Sequence, residues 1–144
     1  MTFEIIEVKS KQHYGMCAAL RTLVYVTEQD CPLLVEFDDL EEQATDFLAF
    51  EDSIPVGTIR YRLIDAHTGK LERLVLLSQA RGKGYSKQLI QRILDELSTK
   101  QGISRIVLSS QDYIIPLYEG FGFQIVGHGY LEAGIEHHKM VLNL

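Results

Sequence analysis

The stretch that most restricts how this chain can fold runs from Leu74 to Leu97. An apolar run, Leu74-Val75-Leu76-Leu77, leads into the turn Arg81-Gly82-Lys83-Gly84. After it, Tyr85, Leu89, Ile90, Ile93, Leu94 and Leu97 recur at helical spacing, ending before Gly102. Strand, glycine turn and amphipathic helix thus follow one another directly. Glycines let the backbone turn tightly and let a ligand approach the amides. The first amides of a helix lack internal partners and lie at the positive end of its dipole, where an anion is stabilised. Arg81, Lys83 and Lys87 add charge nearby. The turn lacks the phosphate-loop spacing, because Gly84 and not Ser or Thr follows Lys83, and it lacks the third glycine of the dinucleotide fingerprint. On its residues alone it is either an anion cradle or an ordinary strand-to-helix connection.

The remaining pattern surrounds this unit with strands. Phe3–Val8 reads as a first strand, and Lys11–Glu28 carries Met16, Leu20, Leu23 and Val24 at helical spacing. Asp46–Glu51, Val56–Ala66 and Lys70–Leu77 are strand-like runs between short turns. Ser104–Ser110 reads as a buried strand, Asp112–Gly120 as a short helix, Gly122-Phe123 as the start of a return strand towards Gly127, and His137–Leu142 as a last strand. Between Glu28 and Asp46 an acidic segment interrupted by Pro32 leaves room for a short helix. The order predicts one domain, residues 1–144, with a mixed α/β fold around one central sheet.

Composition narrows the classes. With 144 residues, 46% hydrophobic and 24% charged, the chain has the make-up of a globular domain, not of a disordered or fibrous one. Its longest apolar run, Met16 to Leu20, is far short of the ~20 residues that cross a bilayer. The opening MTFEIIEVKSK has no apolar stretch after a basic end. Two cysteines make no disulfide framework, and the five histidines show no i, i+4 pair, so no metal is expected. The expectation is a soluble cytoplasmic protein with no membrane partner. Residues 1–72 hold 14 acidic and 6 basic side chains, residues 73–144 hold 6 and 8. Ten acids between Glu28 and Asp52 lie in a window without Lys or Arg. That window reads either as a solvated loop or as an acidic wall for a cationic partner. No basic stripe exists to meet nucleic acid.

Arg81-x-x-Gly84-x-Ser86 resembles the coenzyme A signature of the GNAT acetyltransferase superfamily, Q/R-x-x-G-x-G/A, with Ser86 in place of the usual Gly or Ala. Downstream, Gln111-Asp112-Tyr113-Ile114-Ile115-Pro116-Leu117-Tyr118-Glu119-Gly120-Phe121-Gly122-Phe123 is similar to the family's N-x-x-A-x-x-x-Y-E-x-x-G-F. Leu20-Arg21, Val26-x-Glu28-Gln29-x-Cys31-Pro32, Glu36-x-Asp38-x-Leu40 and Leu131-Glu132-Ala133-Gly134-Ile135-x-His137-x-x-Met140 resemble its ElaA-like branch. The resemblance implies a mostly antiparallel mixed sheet flanked by helices, with a splayed parallel strand pair holding coenzyme A. It implies acetyl-CoA as co-substrate and a small-molecule, protein or peptide amine as acceptor, in a monomer or homodimer. By the same resemblance Arg81, Gly82, Lys83, Gly84, Tyr85, Ser86 and Lys87 bind the pyrophosphate. Leu74, Val75 and Leu76 offer strand amides and carbonyls, and Gln111 stands where Asn is common.

Acetyl transfer to an amine needs a proton acceptor for the amine, a polarised carbonyl and a proton for the departing thiolate. Tyr118 fits the last by its place in the motif, and a phenol is protonated at neutral pH. For the proton acceptor His137 and Glu72 are the candidates. A hydrogen-bonded strand histidine and a solvated strand glutamate are the alternatives. His138 points to the face opposite His137, so only one of them can line a cleft. Glu28, Glu36 and Asp38 are candidates for holding a cationic acceptor, with ion pairing and capping equally open. Two other functions remain: a non-catalytic acyl-CoA-binding regulatory module, and transfer from a different acyl-CoA.

Overall fold

Alternation of apolar and polar residues in the expected strands is answered by a seven-stranded sheet in the order β1-β2-β3-β4-β5-β7-β6. The computed structural model of the chain describes residues 2–29 and 44–144. The strands are β1 (Phe3–Glu7), β2 (Thr45–Glu51), β3 (Ile54–Asp65), β4 (Thr68–Leu76), β5 (Arg105–Gln111), β6 (Gln124–Glu132) and β7 (Ile135–Asn143). The helices are α1 (Lys11–Arg21), α2 (Tyr85–Thr99) and the short α3 (Ile115–Glu119). All neighbouring strands are antiparallel except β4 and β5. Among the described residues no helix is long and apolar enough to cross a membrane. The expected short helix in the acidic segment falls outside them.

The sheet carries a core on each face. Leu89, Ile90, Ile93 and Leu97 of α2 are fully buried against Phe47, Ile59, Ile106 and Met140. On the other face α1 buries Cys17 and Leu20 against Leu48 and Val75. The hydroxyl of Ser10 caps α1 by accepting from the His13 amide at 3.1 Å.

The single helix expected over Lys11–Glu28 instead changes pitch. After Arg21 it widens into a π-helical segment, Thr22–Glu28. β-Branched Thr22, Val24, Val26 and Thr27 crowd a regular α-helix. Two threonines also divert to the backbone: Thr22 Oγ1 donates to the Ala18 carbonyl at 2.9 Å and Thr27 Oγ1 to the Thr22 carbonyl at 3.3 Å. The widened turn carries Val24, Tyr25, Glu28 and Gln29 into the wall of a cavity.

Two features of β4 create that cavity. β4 and β5 pair only at Thr68–Arg105, Gly69–Ile106 and Lys70–Val107, after which they part. In β4's antiparallel pairing with β3 the register jumps from Thr58–Val75 to Arg60–Glu72. Arg73 and Leu74 therefore face Ile59 alone, a β-bulge, with Arg73 in the left-handed region at φ 57°. Such a conformation costs of order 1 kcal/mol in a residue with a Cβ and is held by its surroundings.

A row of charge crosses the sheet beside the bulge. Asp46, Arg60 and Glu72 are successive cross-strand partners on β2, β3 and β4. Arg21 from α1 closes one end by an ion pair with Asp46, both groups being buried. Removing one member of a buried pair strands its partner's charge, at about 3–5 kcal/mol. Asp46→Ala is therefore expected to lower the melting temperature by about 10 °C in a domain of this size. Calorimetry against wild type checks this.

Candidate functional site

Where β4 and β5 part, a cavity of about 770 Å³ opens between the turn after β4 and the hairpin β6–β7. Its wall includes Glu72 to Leu76 of β4, Ser109 to Gln111 of β5, Arg81, Ser86, Tyr118, Glu132 and His137. The structure thus brings Arg81 and Ser86, which flank the glycine turn, together with Tyr118 and His137 around one space.

The turn is open where an anion would enter. Gly82 and Gly84 are both left-handed, at φ 80° and 82°, and a Cβ built on either meets no heavy atom within 4 Å. Gly84 caps α2 without any side-chain hydrogen bond, so the leading amides of α2 keep no side-chain acceptor. The basic side chains go elsewhere. Lys83 pairs with Glu51 at 2.9 Å, and Tyr85 is buried, stacked on Phe3 at 3.9 Å, with its hydroxyl donating to Glu51. The Tyr85 hydroxyl and then the Lys83 ammonium hold the Glu51 carboxyl below its usual range. Lys83 and Tyr85 thus anchor the turn through Glu51 with their side chains. Lys87 is exposed beyond it.

Arg81 is half exposed and spans two partners, donating from Nε to the Leu76 carbonyl at 2.9 Å and from Nη2 to Glu28 at 2.8 Å. Glu28 therefore lies in the cavity wall but is already paired. The Leu74 carbonyl accepts from the Tyr25 hydroxyl at 3.1 Å. The carbonyls of Leu74 and Leu76, two of the strand groups expected to meet the ligand, each accept from one side-chain donor. Tyr25 escaped the sequence reading because in a helical stripe it looks like one more apolar position. Val75 turns its side chain into the α1 core.

Tyr118 is 5% exposed on α3 and packs edge-on against Phe123 at 5.9 Å. Burial, with a smaller contribution from Tyr113, pushes its phenol above the ordinary value of 10.0. Gln111 donates to Gln29 Oε1 at 2.9 Å.

His137 is fixed by the β6–β7 hairpin. Ala133 and Gly134, at φ 51° and 77°, form a two-residue turn with both central residues left-handed, which sets the register Tyr130–His137 and Glu132–Ile135. His137 Nδ1 lies 2.7 Å from the Ile135 carbonyl, which can only accept, so Nδ1 is the donor there and Nε2 is left to other partners. Nε2 stands 3.4 Å from Glu132. Tyr130 stacks along the ring at 6.1 Å and is itself hydrogen-bonded to Ser109. His138 faces away, with Nδ1 2.7 Å from Asp112.

Glu72 is tied down. Its Oε1 accepts from Arg62 Nε at 2.8 Å and Arg60 Nε at 3.1 Å. The described part of the acidic window is paired. Of its ten acids, Glu28, Asp46, Glu51 and Asp52 are described, and each has a partner: Arg81, Arg21, Lys83 and the Thr2 amide. Glu36 and Asp38 lie outside the described residues.

Comparison with known proteins bears on the fold and the family. The family model for an acetyltransferase (GNAT) domain matches residues 33–144. YjcF of Bacillus subtilis (strain 168), named an uncharacterized N-acetyltransferase, is 32% identical over 123 residues, 85% of this chain and 86% of its own. ElaA of Escherichia coli (strain K12) is 27% identical over 91% of this chain and 87% of its own. The crystal structure of Escherichia coli ElaA superposes with a TM-score of 0.84, at 22% identity, over 97% of this chain and 99% of that one. A GNAT family acetyltransferase from Elizabethkingia anophelis with acetyl-CoA bound shares the fold at a TM-score of 0.72 and 13% identity, over 99% of this chain and 98% of that one. The chain belongs to the GNAT acetyltransferase family.

Coenzyme A affinity is expected to follow the turn's backbone. Gly84→Val puts a β-branched residue at a left-handed position, costing about 1–2 kcal/mol or more, and is expected to weaken binding at least ~10-fold. Lys83→Ala is expected to change affinity less than ~3-fold, since Lys83 serves Glu51. Calorimetric titration checks both.

Proposed function

We propose that this chain is an acetyl-CoA-dependent N-acetyltransferase that passes the acetyl group directly to a primary amine of a small molecule or peptide. The observation that carries this reading is one cavity lined by Arg81 and Ser86 from either side of the open glycine turn, by the edge of β4 that β5 leaves, by a buried phenol and by His137.

Acetyl-CoA, when bound, supplies the acetyl group as an activated thioester. The amides from Gly82 to Lys87 hold its pyrophosphate, with Arg81 and Ser86 at the rim of the same cavity. The β5-facing edge of Leu74 to Leu76 holds the pantetheine arm, and an amide at the bulge polarises the acyl carbonyl. Tyr118 keeps a proton at Oη for the leaving thiolate. Its raised pKa keeps that proton in place across the working pH range.

His137 takes the proton that the amine must lose. Its Nδ1–H is committed to the Ile135 carbonyl, so Nε2 is the accepting atom, and Glu132 stabilises the imidazolium that results. Glu72 is engaged by Arg60 and Arg62 and anchors the sheet beside the site. Of the acids suggested for the acceptor, Glu28 is reserved for Arg81. A cationic acceptor therefore finds no support in it.

Tyr118→Phe keeps the ring and loses the proton donor. We expect kcat to fall at least ~30-fold, a floor beneath the range for acid–base assistance, with melting temperature and coenzyme A affinity near wild type. Thiol release with a saturating amine measures it, and wild-type kcat in this variant, with chemistry limiting, would leave Tyr118 a packing residue. The pH profile is a second measure. A donor acts while protonated, so a phenol raised above 10.0 is expected to cause no alkaline fall in kcat up to pH 10. A fall below that pH that disappears in Tyr118→Phe contradicts the assignment.

A further inference from the structure

The cavity wall beyond the bulge carries more positive charge than the described side chains consume. Arg62 and Lys70 are direct cross-strand partners on β3 and β4. Like charges so placed weaken a strand pair. A single described carboxylate, Glu72, serves both of them and Arg60 as well: Arg62 Nε at 2.8 Å, Arg60 Nη2 at 3.1 Å and Lys70 Nζ at 4.0 Å. Arg62 spends only Nε on it. Its two terminal amino groups make no hydrogen bond to a described residue. Arg62 and Lys70, 17% and 31% exposed, both line the cavity.

A guanidinium with an unfilled fork beside an ammonium matches a carboxylate. The position says whose carboxylate. Lys70 precedes the bulge at Arg73 by three residues, about 10 Å along a strand. It precedes Leu76 by six, about 20 Å from the end where the glycine turn begins. The cofactor's phosphates belong to that far end, so an anion at Arg62 and Lys70 comes with the other substrate.

Resting on the acetyltransferase reading, we propose that the acceptor is an amino acid. Its carboxylate sits on Arg62 and Lys70, and its amine points along β4 towards the bulge and His137 Nε2. The expected cationic acceptor is replaced by one that carries both charges.

The test uses the full chain and matched pairs of acceptors: α-amino acids and ω-amino acids of increasing chain length, each against its own carboxamide. Thiol release from acetyl-CoA gives kcat/KM. Wild type is expected to prefer the carboxylate at least ~10-fold, the worth of one charge-assisted contact. In Arg62→Gln and Lys70→Gln that ratio is expected to fall towards one, through KM. Lys70→Gln relieves a like-charge pair and is expected not to lower the melting temperature, which a purely structural lysine would. A second measurement needs no transfer: amine-free carboxylates from propanoate to hexanoate are titrated into wild type and both variants. Binding by wild type that each variant weakens supports the site. No carboxylate preference in wild type, a preference unchanged in both variants, or carboxylate binding that both variants retain overturns it. If carboxylates bind through Arg62 and no amine releases thiol, the anion site stands and acetyl transfer to amines falls.

Discussion

Charge locks three strands of this sheet in register. Asp46, Arg60 and Glu72 stand opposite one another across β2, β3 and β4, with Arg21 at one end and Arg62 at the other. A slip of one residue would turn this row to the opposite face, where Phe47, Ile59 and Leu71 meet α2. Ions cannot be left there unpaired, so the alternative registers are closed off. Once the register is fixed, Ile59 is left facing two residues of β4, and the extra one has to bulge. The bulge turns Leu74 towards Tyr25, and the widened turn of the first helix delivers Tyr25 to meet it. The wall of the cavity is thus a consequence of how buried charge is neutralised one strand away.

The glycine turn divides its work between side chains and backbone. Lys83 and Tyr85 converge on Glu51 and stake the loop to the far edge of β2. Gly82 and Gly84 contribute backbone alone, left-handed and with open space where a side chain would stand.

The sequence disclosed whatever is local. The run Leu74–Leu77, the glycines after it and the stripe from Tyr85 to Leu97 lie within one window, and strand, turn and helix stand where that window puts them. The family resemblance, carried by the Arg81–Ser86 and Gln111–Phe123 motifs, is matched by a family model and by ElaA. Partnerships between distant strands were not legible. Counting charges in a window made Asp46 and Glu51 look uncompensated, yet their partners, Arg21 and Lys83, lie 25 and 32 residues away. Glu72 looked solvated for the same reason, its guanidinium partners being 12 and 10 residues back across a hairpin. The helix from Lys11 kept its apolar stripe while changing pitch, because periodicity does not register a widening of the backbone turn such as the one from Thr22 to Glu28.

The last strand in the sheet order has a consequence for how the molecule lives among others. All nine residues of β6 are exposed, and Ile125, Val126, Tyr130 and Leu131 stand among them at the open edge. A continuous edge of that composition would template the addition of a foreign strand. Here the ladder with β7 breaks between Val126 and Tyr130, leaving three paired residues on each side, with Gly127 left-handed in the gap. An arriving chain meets two short, mutually bent stretches in place of one straight row of amides. The kink that ends this sheet is also a guard against its growth.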